Sequence, residues 1–446
     1  MPIDVRNEDC PKDWFRVPLS ATAQDGKENF IDGDWIEAPY ITDRGIRLLQ
    51  TGNIGIGVLL DKPDTRKYIS PKSFNNLRCK WVHPGDILIC RLAEPIGRAC
   101  KVPDYLGDCI TAVDVTIFRP HPDRLHSNYA IHLLNSERHL KRLEDVAGGS
   151  TRQRISRGNL GQTKICIPSL SEQCRIAEIL DTLDDAIQKT EQLIAKLKQI
   201  KQGLLQDLLT QGIDENGQLR NPIAYPEQFK DSVLGRIPTA WEAVRIKDVG
   251  KVFGGKRLPA GHAYSEEPTG YTYLRVLDFF EKAIAPKTLM SLPPKTFAAL
   301  ERYEIHDGNL YISIAGSIGH VGVFAATENT RTVLTENAAR IELAEDMHPP
   351  FVAYQMNGHE VQRQIDIEKG TGGGVPKLAL FRIENLRIAQ PPEAEQKAIS
   401  QRMLVHEKAI ALEEENLHKL MAIKKGLMHD LLTGKVRVNT KEGNDK

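Results

Sequence analysis

"KQIKQGLLQDLLTQG", Lys198 to Gly212, returns 223 residues later as "MAIKKGLMHDLLTGK", Met421 to Lys435. The match extends upstream without a gap. Between Pro168–Thr210 and Pro391–Thr433, 17 of 43 positions are identical, including Glu172/Glu395, Gln173/Gln396, Ile176/Ile399, Ile187/Ile410, Leu197/Leu420 and Gly203/Gly426. Chance would give about one identity in fifteen, so this is an internal repeat.

Each copy reads as one long helix. Ile176, Leu180, Leu183, Ile187, Thr190, Ile194 and Leu197 step by alternating fours and threes, and Ile200, Leu204 and Leu208 continue after a one-residue slip. That spacing is a coiled-coil seam. The second copy gives Ile399, Met403, His406, Ile410, Glu413, Leu417, Leu420, Ile423, Leu427 and Leu431. Pro168 and Pro391–Pro392 mark the entrances, Gly212 and Gly434 the exits. Gly203 and Gly426 lie inside the helices, where glycine costs about 1 kcal/mol against alanine. Close approach of a partner helix would explain them. The expected packing residues are thus Leu180, Leu183, Ile187, Ile194, Leu197 and Gly203 in the first copy, with Ile410, Leu417, Leu420 and Gly426 in the second. A narrow apolar stripe cannot hold such a helix alone in water. The simplest partner is the other copy. An antiparallel pair spares the intervening chain a return of roughly 60 Å.

The segments between the helices also correspond. "CPKDWFRVPL" (Cys10–Leu19) answers "RIPTAWEAVRI" (Arg236–Ile246), and "VHPGDILI" (Val82–Ile89) answers "IHDGNLYI" (Ile305–Ile312). Apolar alternation bounded by Gly and Pro indicates strands and turns. The expected fold class is mixed α/β. Two similar α/β domains are separated by two long helices packed as an antiparallel coiled coil, with a pseudo-twofold internal repeat. The expected boundaries are a first domain over 1–167, helix 168–212, linker 213–236, second domain 237–390, helix 391–434 and a flexible tail 435–446.

Composition narrows the function. Lys+Arg and Asp+Glu are both 59 of 446 residues, which excludes a uniformly basic coat but leaves local patches possible. The seven cysteines contain no C-x-x-C pair, and free thiols in a reducing cytoplasm are expected. No stretch approaches the length of a membrane span and the start lacks a signal-peptide pattern, so a cytoplasmic protein without a membrane partner is expected. "GKVFGGKR" (Gly250–Arg257) has Arg257 where a Walker loop needs Ser or Thr. "HPPF" (His348–Phe351) resembles an adenine-methyltransferase motif with His in place of Asn or Asp. The same place in the first repeat reads "HSNY" (His126–Tyr129), without the proline pair, so a loop entering a helix explains it. No pattern carries bond-breaking chemistry or a metal set.

Two Gly-rich, basic stretches precede the long helices: "AGGSTRQR" (Ala147–Arg154) and "GTGGGVPK" (Gly370–Lys377). Such loops suit phosphates, through backbone amides and guanidinium groups. A solvated loop explains the same residues. The candidate DNA contacts are Arg152, Arg154, Arg157, Lys164, Lys256, Arg257, Lys377 and Arg382.

Two diverged domains in a symmetric frame suit double-stranded DNA, whose backbone has matching twofold symmetry. At this point the sequence resembles the specificity subunit of type I restriction–modification enzymes. The resemblance rests on "IPSLSEQCRIAEILDTLDDAI" (Ile167–Ile187), "KQGLLQDLLTQG" (Lys201–Gly212), "FKDSVLGRIPTAWEAVRIKDVG" (Phe229–Gly250) and "PPEAEQKAI" with "IKKGLMHDLLTGKVRV" (Pro391–Val438). It implies one target recognition domain per half of an asymmetric bipartite site. It also implies a helical spacer that docks two modification (methyltransferase) subunits, with restriction (motor-nuclease) subunits joining the assembly. S-adenosylmethionine, ATP and Mg would be held by those partners, and this chain would hold no cofactor and catalyse nothing. Two other readings stand beside it: a stand-alone DNA adenine methyltransferase and a coiled-coil scaffold without a DNA role.

Overall fold

The computed structural model describes residues 10–148, 153–280, 289–369 and 376–439. The chain forms two compact units, Met1–Gln192 with Glu415–Lys446, and Leu193–Glu414.

The first unit is built on a four-stranded antiparallel sheet in the order Phe30–Asp32, Val115–Phe118, Ile87–Cys90, Ala99–Lys101. The unbroken apolar run Ile87–Cys90 is buried throughout. Successive strand residues face opposite ways. Ile87 and Ile89 therefore enter the core with Tyr129 and Leu180, while Leu88 and Cys90 enter a second core with Val115 and Ile117. A second sheet runs Ile41–Thr42, Lys67–Ile69, Ile46–Leu49, Ile110–Thr111, its last pair parallel. A short ladder of Phe15–Pro18 on Lys164–Ile167 leads into the first long helix.

The second unit repeats this plan. Its main sheet runs Gly250–Gly254, Ala338–Leu343, Leu310–Ser313, Val321–Val323. The pairing Ile87↔Phe118 recurs as Leu310↔Ile341, both partners shifted by 223. Its second sheet contains the parallel pair Tyr271–Leu274 and Arg331–Leu334, and its entry ladder is Glu242–Arg245 on Arg387–Gln390.

The long helices span Leu170–Thr210 and Glu393–Leu432, and each contributes to both units. Within the first unit Glu172 pairs with Arg437 and Asp184 with Lys424. Within the second, Lys198 pairs with Glu414 at 2.9 Å and Lys201 with Glu407 at 2.7 Å. In each set the numbers rise along one chain segment as they fall along the other, with Arg437 just past the end of its helix and Ile176 and Leu180 sharing a core with Leu431 and Leu432, so the helices run antiparallel in both units.

Of the expected packing residues, Leu180, Ile194 and Ile410 are buried. Leu183, Ile187, Leu197, Leu417 and Leu420 are half-buried. Gly203 and Gly426 correct the expectation: both are exposed, and a Cβ at either would meet nothing within 4 Å. Ile200 and Ile423 also leave the seam, 44% and 51% exposed. At about 100° per residue, Leu197, Leu204 and Leu208 fall on one line. Ile200 lies roughly 60° off it and Gly203 roughly 120° off. The same geometry holds for Leu420, Leu427 and Leu431 against Ile423 and Gly426.

The identical helix ends have an internal use. Gln173 accepts from the His126 backbone at 2.9 Å and donates to the Pro168 and Arg124 carbonyls. Gln396 accepts from His348 at 2.8 Å and donates to Pro391 and Asp346. Each glutamine therefore ties its helix entrance to the loop before the helix Ser127–Leu134 or Pro349–Asn357. Beside it, Glu172 takes two hydrogen bonds from Arg437 at 2.7 and 2.6 Å. Glu395 takes two from Arg220, at 2.5 and 3.1 Å, and one from the Trp241 indole at 3.0 Å. The exits turn through Gly212 (φ 63°) and Gly434 (φ 71°), the left-handed conformation that ends helices and favours glycine.

The cysteine expectation is corrected at one pair. Cys10 and Cys166 form a disulfide with Cα atoms 5.8 Å apart. The entry ladder causes this, since it carries Cys10 past the strand that holds Cys166. Cys79, Cys90, Cys100 and Cys109 are free and buried, and Cys174 is free and exposed.

Candidate nucleic-acid interface

In an antiparallel sheet, alternate strand ends and starts meet along one edge. In the first unit, that edge gathers the residues after Asp32, those before Val115 and those after Cys90. Gly33 N–H donates to Val115 O at 2.9 Å and Asp34 N–H to Thr111 O at 2.8 Å. Gly33 is needed here because a Cβ would lie 2.3 Å from the Thr111 carbonyl oxygen. The Asp34 carboxylate turns back onto Lys80, bonding its backbone N–H at 2.7 Å and its ammonium at 2.5 Å. Trp35 then projects outward, 71% exposed, with its indole N–H donated to Glu37 at 3.3 Å.

Beneath this edge Arg91 is buried. It donates to the Ile155 and Val113 carbonyls and pairs with Asp32 at 3.1 Å. Burial lowers its hold on the proton, and Asp32 opposes that. Asp114 pairs with Arg154 at 2.8 Å, and Ile155 N–H donates to Arg91 O, so the chain leaving the Gly-rich basic stretch is laced into the same edge.

The second unit holds the same frame with other side chains. Gly255 N–H donates to Ala338 O at 3.0 Å and Lys256 N–H to Leu334 O at 2.9 Å. A Cβ on Gly255 would lie 2.0 Å from the Thr335 oxygen. Arg257 projects outward, its side chain 79% exposed, with Nε on Glu336 at 2.7 Å. Burial works to raise the Glu336 pKa, but the hydrogen bond from Arg257 and others leave it below the usual carboxylate value. Burial pushes the Tyr273 phenol up to about 12, so it stays a donor to the Lys256 carbonyl at 2.8 Å. The bridge Leu92↔Arg154 recurs as Ala315↔Lys377. Ile314 replaces buried Arg91, and Asn337 replaces Asp114.

The candidate contacts therefore divide. Arg154 lies at this edge in the first unit, and Lys256, Arg257 and Lys377 lie there in the second. Arg152 falls outside the described residues. Arg157 opens the short helix Arg157–Gln162, exposed and without an ion pair among the described residues. Lys164 is exposed in the entry ladder, opposite Pro18. Arg382 is half-buried and spent on the Glu368 carbonyl and carboxylate at the end of the helix His359–Glu368. Sequence reasoning missed Trp35, Arg91 and Glu336. The signal available for Trp35 was Gly33, which aligns with Gly255 and so places Trp35 over Arg257.

The motifs resembling catalytic ones have structural roles. His348 stands half-buried at the start of the helix Pro349–Asn357 without a side-chain capping bond, and Phe351 is fully buried with its ring 6.4 Å from Trp241, so the aromatic of the motif offers no face to a base. Gly250–Gly254 is a strand and its continuation carries no helix for a phosphate loop. No cluster of metal-ligating side chains occurs among the described residues.

The comparisons agree with this architecture. The family model for the type I restriction modification DNA specificity domain matches twice, over residues 41–199 and 238–422. The chain belongs to that family. Among its relatives, the MjaX type I restriction enzyme specificity subunit of Methanocaldococcus jannaschii is 25% identical over 370 residues, 80% of this chain and 79% of that one. The EcoBI specificity subunit of Escherichia coli is 21% identical over 414 residues, 87% of this chain and 78% of its own. Two solved structures share the fold. A type I R-M system chain superposes with TM-score 0.58 at 16% identity, covering 96% of this chain and 100% of its own. The type I S subunit from M. genitalium gives 0.56 at 15%, covering 94% and 96%.

Proposed function

We propose that this chain is the DNA sequence-specificity subunit of a type I restriction–modification complex and not a stand-alone methyltransferase. Each unit reads one half of an asymmetric bipartite site on double-stranded DNA. The observation that carries the reading is the pair of matched sheet edges. One backbone frame presents Trp35 and Arg154 in the first unit, and Lys256, Arg257 and Lys377 in the second. Arg154 and Lys377 supply cations for phosphates, which position a reader without specifying sequence.

The long helices serve as spacer and dock. Lys196, Ile200 and Gly203 are exposed on the first, and their identical counterparts Lys419, Ile423 and Gly426 on the second. These repeated residues stand outside the internal seam. They offer two equal sites, each with an apolar contact and a glycine admitting close approach, to two copies of a modification subunit. Restriction subunits complete the assembly. S-adenosylmethionine, ATP and Mg belong to those partners, and this chain breaks no bond. No helix among the described residues is long and apolar enough to cross a membrane. The place of action is the cytoplasm, with the DNA.

Expression with its modification partner, followed by mapping of methylated adenines, tests the reading. One asymmetric, interrupted motif is expected, and its absence would refute the proposal. Binding of S-adenosylmethionine to the isolated chain, by calorimetry, would favour the methyltransferase instead. DNA binding insensitive to salt would point away from phosphate contact.

A further inference from the structure

We infer that the position two residues after the crossing glycine, Trp35 in the first unit and Arg257 in the second, reads a base. The inference rests on the DNA-reading role proposed above and adds the residue and the chemistry.

Four observations converge on it. The backbone is fixed identically, because Gly33 and Gly255 each press against a carbonyl where no side chain fits, at 2.3 and 2.0 Å from a built Cβ. The following residue is pinned in both units by its N–H to Thr111 or Leu334. The side chain beyond is among the most exposed in its unit, yet large. Each is also steered by a carboxylate, the indole N–H by Glu37 and the guanidinium Nε by Glu336. A rigid anchor carrying a held, outward and divergent side chain is what base discrimination needs. Holding the side chain in advance reduces the ordering cost of binding.

The two chemistries predict different targets. Glu336 occupies only Nε of Arg257, leaving both terminal nitrogens to pair with O6 and N7 of a guanine. Glu37 occupies the one donor of Trp35, leaving an apolar ring edge suited to the thymine 5-methyl group. Arg154 and Lys377, bridged into the same edges, set phosphates beside them.

The test uses the chain with its modification partner and selection of duplexes from a random library. The wild type must return a bipartite motif; if it returns none, the DNA-reading role fails before this inference is reached. Given a motif, Trp35→Ala is expected to lose about tenfold discrimination at one thymine, in one half-site only. Arg257→Ala does the same at one guanine in the other half-site. The untouched half-site reports folding in each variant. On the wild-type protein, deoxyuridine for that thymine and 7-deazaguanine for that guanine should weaken binding to a similar degree. Neither analogue should add a loss to its matching variant. Unchanged motifs in both variants overturn the inference. So does an equal weakening on every sequence, which would make these residues general anchors.

Discussion

The two helix-entrance locks use equivalent glutamates, Glu172 and Glu395, and differ in how completely they close. In the second unit Glu395 accepts from Arg220, from the Trp241 indole and from the Ile213 backbone at 2.8 Å. In the first unit Glu172 accepts from Arg437, but the corresponding indole, Trp14, is buried with its N–H unpartnered among the described residues. The Arg437 guanidinium lies instead over that ring, 5.9 Å from its centre. One lock is a saturated buried acceptor and the other a half-exposed ion pair. A repeat can thus preserve a motif while its energetic weight shifts between copies.

The largest effect tests this difference. Glu395→Ala strands Arg220 and Trp241 in a buried site and should cost about 3–5 kcal/mol. Glu172→Ala should cost about 1 kcal/mol, because the 43% exposed Arg437 recovers water and its pair is already screened. Urea unfolding of both variants decides it, and equal losses would break the comparison. Next comes the outward stripe. Ile200→Asp and Ile423→Asp should leave unfolding unchanged, since both side chains are already exposed. Each should weaken one of two modification-subunit sites at least tenfold, about 1.4 kcal/mol, read by titration stoichiometry.

A third measurement compares His139 with Val361, which occupies its place in the second unit. His139 is buried with Nε2 unpartnered among the described residues, and burial pushes its pKa down to about 4 from 6.5. The unfolded chain therefore takes up the proton first. Stability is full above pH 6.5 and falls as pH drops toward 4. His139→Val should remove that slope from the first unit's melting profile. The smallest effect is Tyr129→Phe. Tyr129 buries an unpartnered hydroxyl where the second unit has Phe351, and removing it should stabilise by about 1 kcal/mol.

How far the sequence revealed this follows from what periodicity measures. Spacing of apolar residues gave the long helices, their glycine exits and their antiparallel pairing, because those follow from a buried face. It misplaced Ile200, Ile423, Gly203 and Gly426, because a slip in the seam turns them outward without changing their type. The locks were half legible. Glu172 and Glu395 align, but Arg437 stands three residues past Gly434 and Arg220 eight past Gly212, so no alignment pairs them. The basic-loop rule found Arg154, Arg257 and Lys377 but also Arg382, which is tied internally. It could not find Trp35, since an exposed indole has no charge pattern to announce it.

The bond between Cys10 and Cys166 has a further consequence. Ile237 and Ala389, both buried, hold those two places in the second unit. The first unit's opening strap is therefore riveted across 156 positions, while the second's is merely greased shut. A thiol reductant should slacken one half of the molecule and pass the other by, giving the experimenter a handle on a single half-site without touching a codon.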